Sequence, residues 1–323
     1  MKLKLLLAIA SIGLASLAGV RADPIKIGYS DWPGYTVMEI AKQKGWFKEA
    51  GLDVDMVWFD YNASIDALSS GKIDADMIVA SDAMVTGASG AKTKIVCLVD
   101  YSEGSDMIIG APGIDSIKDL SGKKVGVELT LVEHMLLLQA LKVNGMSQSN
   151  ITLVGTSTDK TPQALASGQV SAVGAWYPIS GQALQQVPGS KKLFTSADAK
   201  GLIFDVIAVN PTSYAEHKDD WAKITAIYYK CVNYLMDPAT RDDGVKIMAA
   251  KVGADPAAYA KNLPGTHFLT VPEAKACLKK SHDMLSIYGS MEISDQFNLA
   301  NGVYKESQKP KEYLVPSIIM DMN

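Results

Sequence analysis

The sequence predicts an α/β protein of two similar lobes, each an open, mostly parallel sheet flanked by helices. The segment ALSSGKIDADMIVASDA at residues 67–83 recurs as ALASGQVSAVGAWYPIS at residues 164–180. Around both segments, strand patterns alternate with helix patterns, and this spacing is typical of right-handed parallel crossovers. The chain of 323 residues is also long enough for two domains that each bury a core.

The order of elements is the same in the two copies. The first copy has the strand patterns IKIGYS, VDMVWF and ADMIVA, with the helix patterns TVMEIAKQKGWFKEAG and ASIDALSSG between them. The second copy has the strand patterns KKVGVE, NITLVG and SAVGAW, with the helix patterns VEHMLLLQALKVNG and TPQALASG. Each helix pattern ends in a glycine, where a left-handed residue is expected to close the last turn. These glycines are Gly51, Gly71, Gly145 and Gly168.

Two extended segments, residues 96–113 and 201–211, join the copies, and we expect them to be crossing strands that act as a hinge. The predicted lobe one comprises residues 23–107 and 206–323, and the predicted lobe two comprises residues 108–205. Beyond residue 211 the pattern is helical, and we expect these helices to pack on lobe one and to end in a ragged tail.

The first 22 residues have the pattern of a secretory signal peptide. Lys2 and Lys4 precede the apolar block LLLAIASIGLASLAGV, and small residues stand near the expected cleavage position. We therefore expect an exported, periplasmic protein, without a lipid anchor because no cysteine follows the block. Without residues 1–22 the chain has 28 basic and 35 acidic side chains. This balance argues against a nucleic-acid partner, and we expect a monomer.

The cysteines and histidines do not indicate a chemical centre. The spacing of Cys97, Cys231 and Cys277 matches no metal motif, and the apolar context of Cys97 favours small buried side chains over a redox role. The four histidines are scattered without the spacing of metal ligands. We therefore predict no catalytic residue, no metal and no cofactor, and expect a binding protein.

In sheets of this kind, ligands bind beyond the carboxyl ends of the strands, so the strand-to-helix loops are the expected site. The loops are SDWPGY, FDYNAS, ASDAM, ELTLVEH, TSTDKTP and AWYPIS. They contain several acids and the aromatic residues Trp32, Tyr35, Tyr61, Trp176 and Tyr177. Their basic residue is Lys160, and the one arginine beyond residue 22, Arg241, lies in the C-terminal helical part. Carboxylates that face one cleft repel each other unless a positive partner arrives, so the loops favour a cationic ligand.

A guanidinium-like cation fits this set best, because its N–H donors pair with a carboxylate and its faces stack on aromatic rings. Urea-like amides are the next choice. The predicted ligand-binding residues are Asp31, Trp32, Tyr35, Asp60, Asp82, Glu133, Trp176, Tyr177 and Asp205. Each acid has an alternative role as a helix cap or dipole partner, which for Glu133 is the more common one. For Trp176 the alternative is packing within its lobe.

Several of these segments resemble the nitrate, sulfonate and taurine (NitT/TauT) family of periplasmic solute-binding proteins. They are KIGYSDWPGY, AKQKGWFKEAGLDV, ALSSGKIDA, DLSGKKVGVE, NITLV and ALASGQVSAVGAWYP, in this order. The resemblance covers nearly the whole chain beyond residue 22 and implies a receptor with the type II periplasmic-binding-protein fold. Such a receptor closes its lobes on a small solute and delivers it to an ABC permease.

Within this family, the sequence looks most similar to members associated with urea and guanidine assimilation. A small anion such as a sulfonate, taurine or nitrate remains an alternative ligand, because backbone N–H groups at helix starts bind anions without arginine. A pyrimidine is another. A related branch resembles pyrimidine-forming enzymes of thiamine synthesis, which use a histidine and a cysteine-rich motif; this chain lacks the cysteine cluster.

Overall fold

The computed structural model describes residues 23–322, so the predicted signal peptide lies outside the described residues. The strands are β1 Ile25–Tyr29, β2 Val54–Trp58, β3 Ala75–Val79, β4 Lys94–Ser102, β5 Met107–Gly110, β6 Lys124–Val127, β7 Thr152–Gly155, β8 Ala172–Ala175, β9 Lys191–Thr195, β10 Phe204–Val209 and β11 Thr266–Phe268. They form a sheet in the order β11–β4–β10–β3–β1–β2 and a second in the order β7–β6–β8–β5–β9. The described chain is thus built around two sheets.

Helices cover both sheets. They are α1 Pro33–Thr36, α2 Met38–Lys44, α3 Trp46–Glu49, α4 Tyr61–Ser69, α5 Ala80–Ala88, α6 Val132–Val143, α7 Thr161–Ala166, α8 Ile179–Gln186, α9 Pro211–Glu216, α10 Lys218–Met236, α11 Arg241–Lys251, α12 Pro256–Asn262, α13 Val271–Cys277, α14 Ile287–Ala300 and α15 Pro316–Met320. None of the helices within residues 23–322 is long and apolar enough to cross a membrane.

The two sheets repeat one topology, as the duplicated sequence predicts. In each, the first strand of the copy lies between the other two and pairs with both in parallel: β1 with β2 and β3, and β6 with β7 and β8. The predicted α/β class with two sheets flanked by helices is confirmed, and each sheet is mixed, because antiparallel strands are added to the parallel strands of each copy. The chain re-enters each sheet from the other one, so that β10 runs antiparallel to β3 and β5 runs antiparallel to β8.

Glycine positions define the helix ends as predicted. Gly51, Gly71, Gly145 and Gly168 all have positive φ, between 69° and 75°. The first helix pattern is nevertheless not one helix, because Gly45 also has a φ of 75° and separates α2 from α3. A left-handed residue cannot continue a right-handed helix, so the chain bends there.

The chain passes from the first sheet to the second between Ser102 and Met107, and returns between Thr195 and Phe204. The first crossing falls within the predicted hinge segment of residues 96–113, and the second begins before the predicted segment of residues 201–211 and overlaps only its start. The exact division of the lobes at residues 107/108 and 205/206 stays a prediction.

The C-terminal helices pack on the first sheet. The hydroxyl groups of Tyr228 and Tyr229, on α10, donate hydrogen bonds to the carbonyl oxygens of Val99 and Leu98 on β4. The expected ragged tail was wrong, because Tyr313 is fully buried and the backbone of residues 313–315 pairs with Ile95. Cys97, Cys231 and Cys277 are buried free thiols, as the sequence indicated.

Candidate functional site

A small buried cavity lies between the two sheets, where the carboxyl ends of β1, β3 and β8 meet. Its volume is about 10 Å³, roughly the room of one water molecule. Lobe-one residues supply most of the wall, and Asp106, Val132 and Trp176 close it from the other side. The lining residues are Ser30, Trp32, Tyr35, Tyr61, Val79, Asp106, Val132, Trp176, Ile203 and Asp205. We call this space the inner cavity.

Two fully buried aspartates lie side by side at the inner cavity. Asp205 on β10 and Asp100 on β4 are directly opposite each other in the antiparallel ladder. The hydroxyl of Tyr35 donates a hydrogen bond to Asp205 Oδ1, and Trp32 Nε1 donates to Asp100 Oδ2 at 3.1 Å. Within the described part of the chain, no N–H or hydroxyl group donates to Asp205 Oδ2, and the Asp205 and Asp100 carboxyls are hydrogen-bonded to each other. The pair is therefore held together by a proton, which a cationic ligand would replace.

The loop SDWPGY packs against the Asp100 and Asp205 side chains. Pro33 and Gly34 begin α1, and Gly34 lies so close to Asp100 that a Cβ atom there would overlap the Asp100 carboxylate. A glycine is therefore required for Trp32 and Tyr35 to reach their respective carboxylates.

A second buried acid pair approaches from the other side. Asp106, which lines the inner cavity, lies next to Glu133 in the first turn of α6. Among residues 23–322, no N–H or hydroxyl group donates to Asp106 Oδ2 or to either carboxylate oxygen of Glu133, and the two carboxyls are hydrogen-bonded to each other. Ionising both of them in this buried place would be costly without a further donor.

A third acid, Asp82, joins the two lobes. It accepts hydrogen bonds from the Tyr61 hydroxyl at 2.7 Å and from the backbone N–H of Val132, at the start of α6, at 3.3 Å. Tyr61 in turn accepts from the backbone N–H of Val79 at 3.1 Å. The first turn of α6 is thus already paired with a carboxylate of lobe one.

Burial raises the pKa of every acid around the inner cavity. It raises the pKa of Asp106 to about 6 and those of Asp82 and Asp100 to about 7. For Asp205, burial first and the neighbouring Asp100 charge second hold the pKa well above its usual range. For Glu133, burial and the Asp106 charge do the same. The residues that line the inner cavity include no lysine, arginine or histidine, so no side chain there offsets the effect of burial, and a bound cation would favour the ionised carboxylates.

A larger space, the outer cleft, lies beyond the inner cavity. Its volume is about 600 Å³, and it is lined by residues that include Asp31, Asp60, Glu128 and Asp159. Asp159 forms an ion pair with Lys160 at 2.7 Å, although both side chains are largely exposed. Burial raises the pKa of Asp159, but the hydrogen bonds of Lys160 and Ser157 and the Lys160 charge outweigh this and leave it lowered. Burial raises the pKa of two other acids that line this cleft, Asp31 to about 6 and Glu128 to about 7.

The structure divides the predicted site residues among several places. Trp32, Tyr35, Trp176 and Asp205 line the inner cavity, and Asp82 is bonded to its wall. Asp31 accepts a hydrogen bond from Trp176 Nε1 at 2.8 Å and lines the outer cleft, as does the exposed Asp60. Glu133 lies behind Asp106. Tyr177 packs against Tyr259 of α12, with ring centroids 5.6 Å apart, and lines neither space.

Sequence reasoning missed Asp100 and Asp106. Both lie in the crossing segment of residues 96–113, which was predicted as a hinge and contributed no predicted ligand-binding residue. The signal was present, because Asp100 interrupts an apolar strand in the same way as Asp205. Within residues 23–322, no group of three His, Cys, Asp or Glu side chains is arranged to hold a metal ion.

Comparison with known proteins gives the family and the fold. A Brucella abortus (strain 2308) protein named only as a binding protein is 34% identical over 196 residues, and the match spans 60% of each chain. The Escherichia coli K12 taurine-binding periplasmic protein is 26% identical over 155 residues, which is 48% of this chain and 47% of that one.

Among solved structures, the alkanesulfonate-binding protein SsuA of Xanthomonas axonopodis pv. citri, bound to MOPS, has a TM-score of 0.76 at 18% identity. The alignment covers 90% of this chain and 98% of SsuA. The fold is thus that of type II periplasmic binding proteins. A family model described as NMT1/THI5 like matches residues 32–240, and the chain therefore belongs to the NMT1/THI5-like family.

Proposed function

We propose that this protein is the periplasmic solute-binding receptor of an ABC importer and that it closes its lobes on a small planar cation, with guanidinium as the best fit. The observation that carries the proposal is the pair of buried acids Asp106 and Asp205, whose Oδ2 atoms accept no hydrogen bond from an N–H or hydroxyl group of the described residues, in a buried cavity whose lining has no cationic side chain. The names of relatives as binding proteins support the receptor role. The periplasmic location, the monomeric state and the permease partner belong to the same proposal.

Guanidinium matches the inner cavity in charge and in hydrogen-bond donors, and because the cavity of about 10 Å³ has room for one water molecule, its walls would move apart to admit the cation. Its planar fork of N–H donors forms paired hydrogen bonds with carboxylates. Asp205 from the first sheet and Asp106 from the crossing segment would accept these bonds from two sides. Its faces would meet aromatic rings among Trp32, Tyr35, Tyr61 and Trp176, and such contacts contribute about 0.5 to 2 kcal/mol.

A small anion is less well supported, although relatives are named for taurine and sulfonates. An anion would face Asp106 and Asp205 with no lysine, arginine or histidine in the cavity lining. One helix start at the cavity, that of α6, is already used, because the N–H of Val132 donates to Asp82. Any of the surrounding acids that is ionised would repel a sulfonate in this cavity.

The test is a thermal-shift and calorimetric panel on the purified protein without residues 1–22. The panel contains guanidinium, methylguanidine, urea, taurine, an alkylsulfonate, nitrate and a pyrimidine, each at matched ionic strength. A ligand that binds only the folded state raises the melting temperature, so guanidinium should give the largest shift. A shift with taurine, the sulfonate or nitrate and none with guanidinium would refute the cation proposal, and a shift with the pyrimidine alone would favour the uncharged alternative.

A further inference from the structure

We propose that Trp176 determines ligand size: its indole separates the inner cavity from the outer cleft and thereby excludes cations that carry an alkyl chain. This inference rests on the proposed function, because it assumes that a guanidinium group occupies the inner cavity. It adds the residue that would distinguish guanidinium from alkylguanidines.

Ser30, Tyr61 and Trp176 line both spaces, so among the described residues they form the wall between them. Ser30 and Tyr61 belong to the first copy of the duplicated layout, whereas Trp176 follows β8 of the second. Trp176 is only 5% exposed and has the largest side chain of the three. A buried aromatic side chain such as tryptophan removes roughly 150 to 250 Å² of surface from solvent. The indole is thus the main barrier between the two spaces.

The indole is fixed on two sides. Its Nε1 donates a hydrogen bond to Asp31 Oδ1 at 2.8 Å, across the two lobes. Its ring meets Tyr61 edge to face, with centroids 5.2 Å apart and an interplanar angle of 67°. Tyr61 is held by its bonds to Asp82 and to the backbone N–H of Val79. A ligand chain could cross this wall only by displacing several bonded groups.

Charge does not explain the exclusion of a longer cation, because the outer cleft is itself acidic. Asp60 and Asp159 line it, and Glu128 Oε2 is buried there without a hydrogen-bond partner within residues 23–322. A guanidinium group that carried an aminoalkyl chain would place its ammonium near these acids if the chain could pass. The outer cleft would favour such a ligand, and the indole prevents it from entering.

Removal of the indole should join the two spaces and change the ligand range. Guanidinium should lose the aromatic face, which corresponds to roughly a tenfold loss of affinity. Agmatine, a guanidinium with an aminobutyl chain, should gain affinity because its head would fit the inner cavity and its ammonium the outer cleft.

The experiment is calorimetric titration of guanidinium and of agmatine into the wild-type protein, Trp176→Ala and Trp176→Leu. The melting curve of Trp176→Ala without ligand shows whether this variant folds. If it does not fold, Trp176→Leu replaces it in the comparison, because leucine keeps an apolar contact with Tyr61. Trp58→Ala is the matched control, because Trp58 lines only the outer cleft and is 38% exposed. It removes the same side chain without opening the wall.

We expect wild type and Trp58→Ala to prefer guanidinium over agmatine by about a hundredfold or more, and the Trp176 variants to show a preference below about tenfold. A wild-type protein that binds both ligands equally, or folded Trp176 variants that keep the wild-type preference, would overturn the inference while leaving guanidinium binding intact. A wild-type protein that binds neither ligand would instead overturn the proposed function.

Discussion

Acidic side chains line both the inner cavity and the outer cleft, but the charged partners and the burial of these carboxylates differ. In the outer cleft, Asp159 is paired with Lys160, and its pKa is lowered. In the inner cavity, Asp205 and Asp106 are buried away from any cationic lining residue, and burial raises their pKa values. A lysine partner thus keeps Asp159 ionised, whereas no side chain lining the inner cavity can do the same for Asp205 and Asp106.

The largest difference in guanidinium affinity is expected between a variant of an inner-cavity acid and a variant of an outer-cleft acid. Asp205→Asn removes the charge that a cation would pair with, and losing one partner of a buried charge pair costs roughly 2 to 5 kcal/mol. Guanidinium affinity should therefore fall by about a hundredfold or more, measured by calorimetry. Asp159→Asn is the matched control and should leave the affinity within about twofold of wild type. Equal losses in the two variants would show that overall charge, and not the cavity, governs binding.

The pH dependence should separate binding from stability. Guanidinium binding requires ionised carboxylates, so its affinity should fall by up to about tenfold per pH unit as the pH drops from 7 to 5. Stability of the ligand-free protein should change in the opposite direction. Asp82 and Asp100, with pKa values of about 7, hold protons that they lose in the unfolded chain, where the usual value is 3.8. The contribution of these two groups to the free energy of unfolding is fully present below about pH 4 and is lost as the pH rises through 7.

Asp76 adds to this stability trend from outside the site. It is buried beside Gly28, and burial raises its pKa to about 8. Melting temperatures of the ligand-free protein between pH 5 and 8, beside guanidinium titrations over the same range, would check both trends. A melting temperature that rises with pH over this range would contradict the protonated state that we assign to the buried acids.

Gly34→Ala should disturb the inner cavity without changing its charge. The new Cβ would overlap the Asp100 carboxylate and displace Trp32 Nε1 from it. Overpacking of this kind typically costs about 1 to 3 kcal/mol, so both the free energy of unfolding and guanidinium affinity should decrease. Gly155→Ala is the control, because its Cβ would meet only the end of the exposed Leu129 side chain, 3.3 Å away. Chemical denaturation of the two variants tests this, and equal stabilities would mean that the Asp100 side chain moves freely.

Asp31→Asn should have the smallest effect. The asparagine Oδ1 would still accept the hydrogen bond from Trp176, and Asp31 lines the outer cleft rather than the inner cavity. We expect guanidinium affinity to change less than about threefold, because a partly solvated charge contributes little. A loss as large as that of Asp205→Asn would instead make Asp31 a direct ligand partner, which is the role the sequence suggested.

Sequence patterns predicted much of the fold because local signals define it. The duplicated segment and the four glycines gave the order of elements in each lobe, and these glycines have the expected positive φ. The antiparallel strands were not predicted, because the pairing of β5 with β8 and of β10 with β3 depends on how the chain re-enters each sheet. No local pattern encodes that return path.

The candidate site was only partly predictable for a similar reason. Asp82 and Asp205 are recognisable in the sequence because each is an acid at or within an apolar strand, and Asp100 and Asp106 have the same context. That context alone does not tell which of these acids face the cavity. The direction in which a loop residue faces depends on the opposite lobe. Asp31 thus meets Trp176, and Tyr177, one residue further along, turns to Tyr259.

A crystal structure of the protein grown with guanidinium tests the central claim most directly. The account predicts a planar cation in the inner cavity, within hydrogen-bond distance of Asp205 Oδ2 and Asp106 Oδ2 and in contact with an aromatic ring. Guanidinium bound only in the outer cleft, or a sulfonate or other anion between these two aspartates, would contradict it.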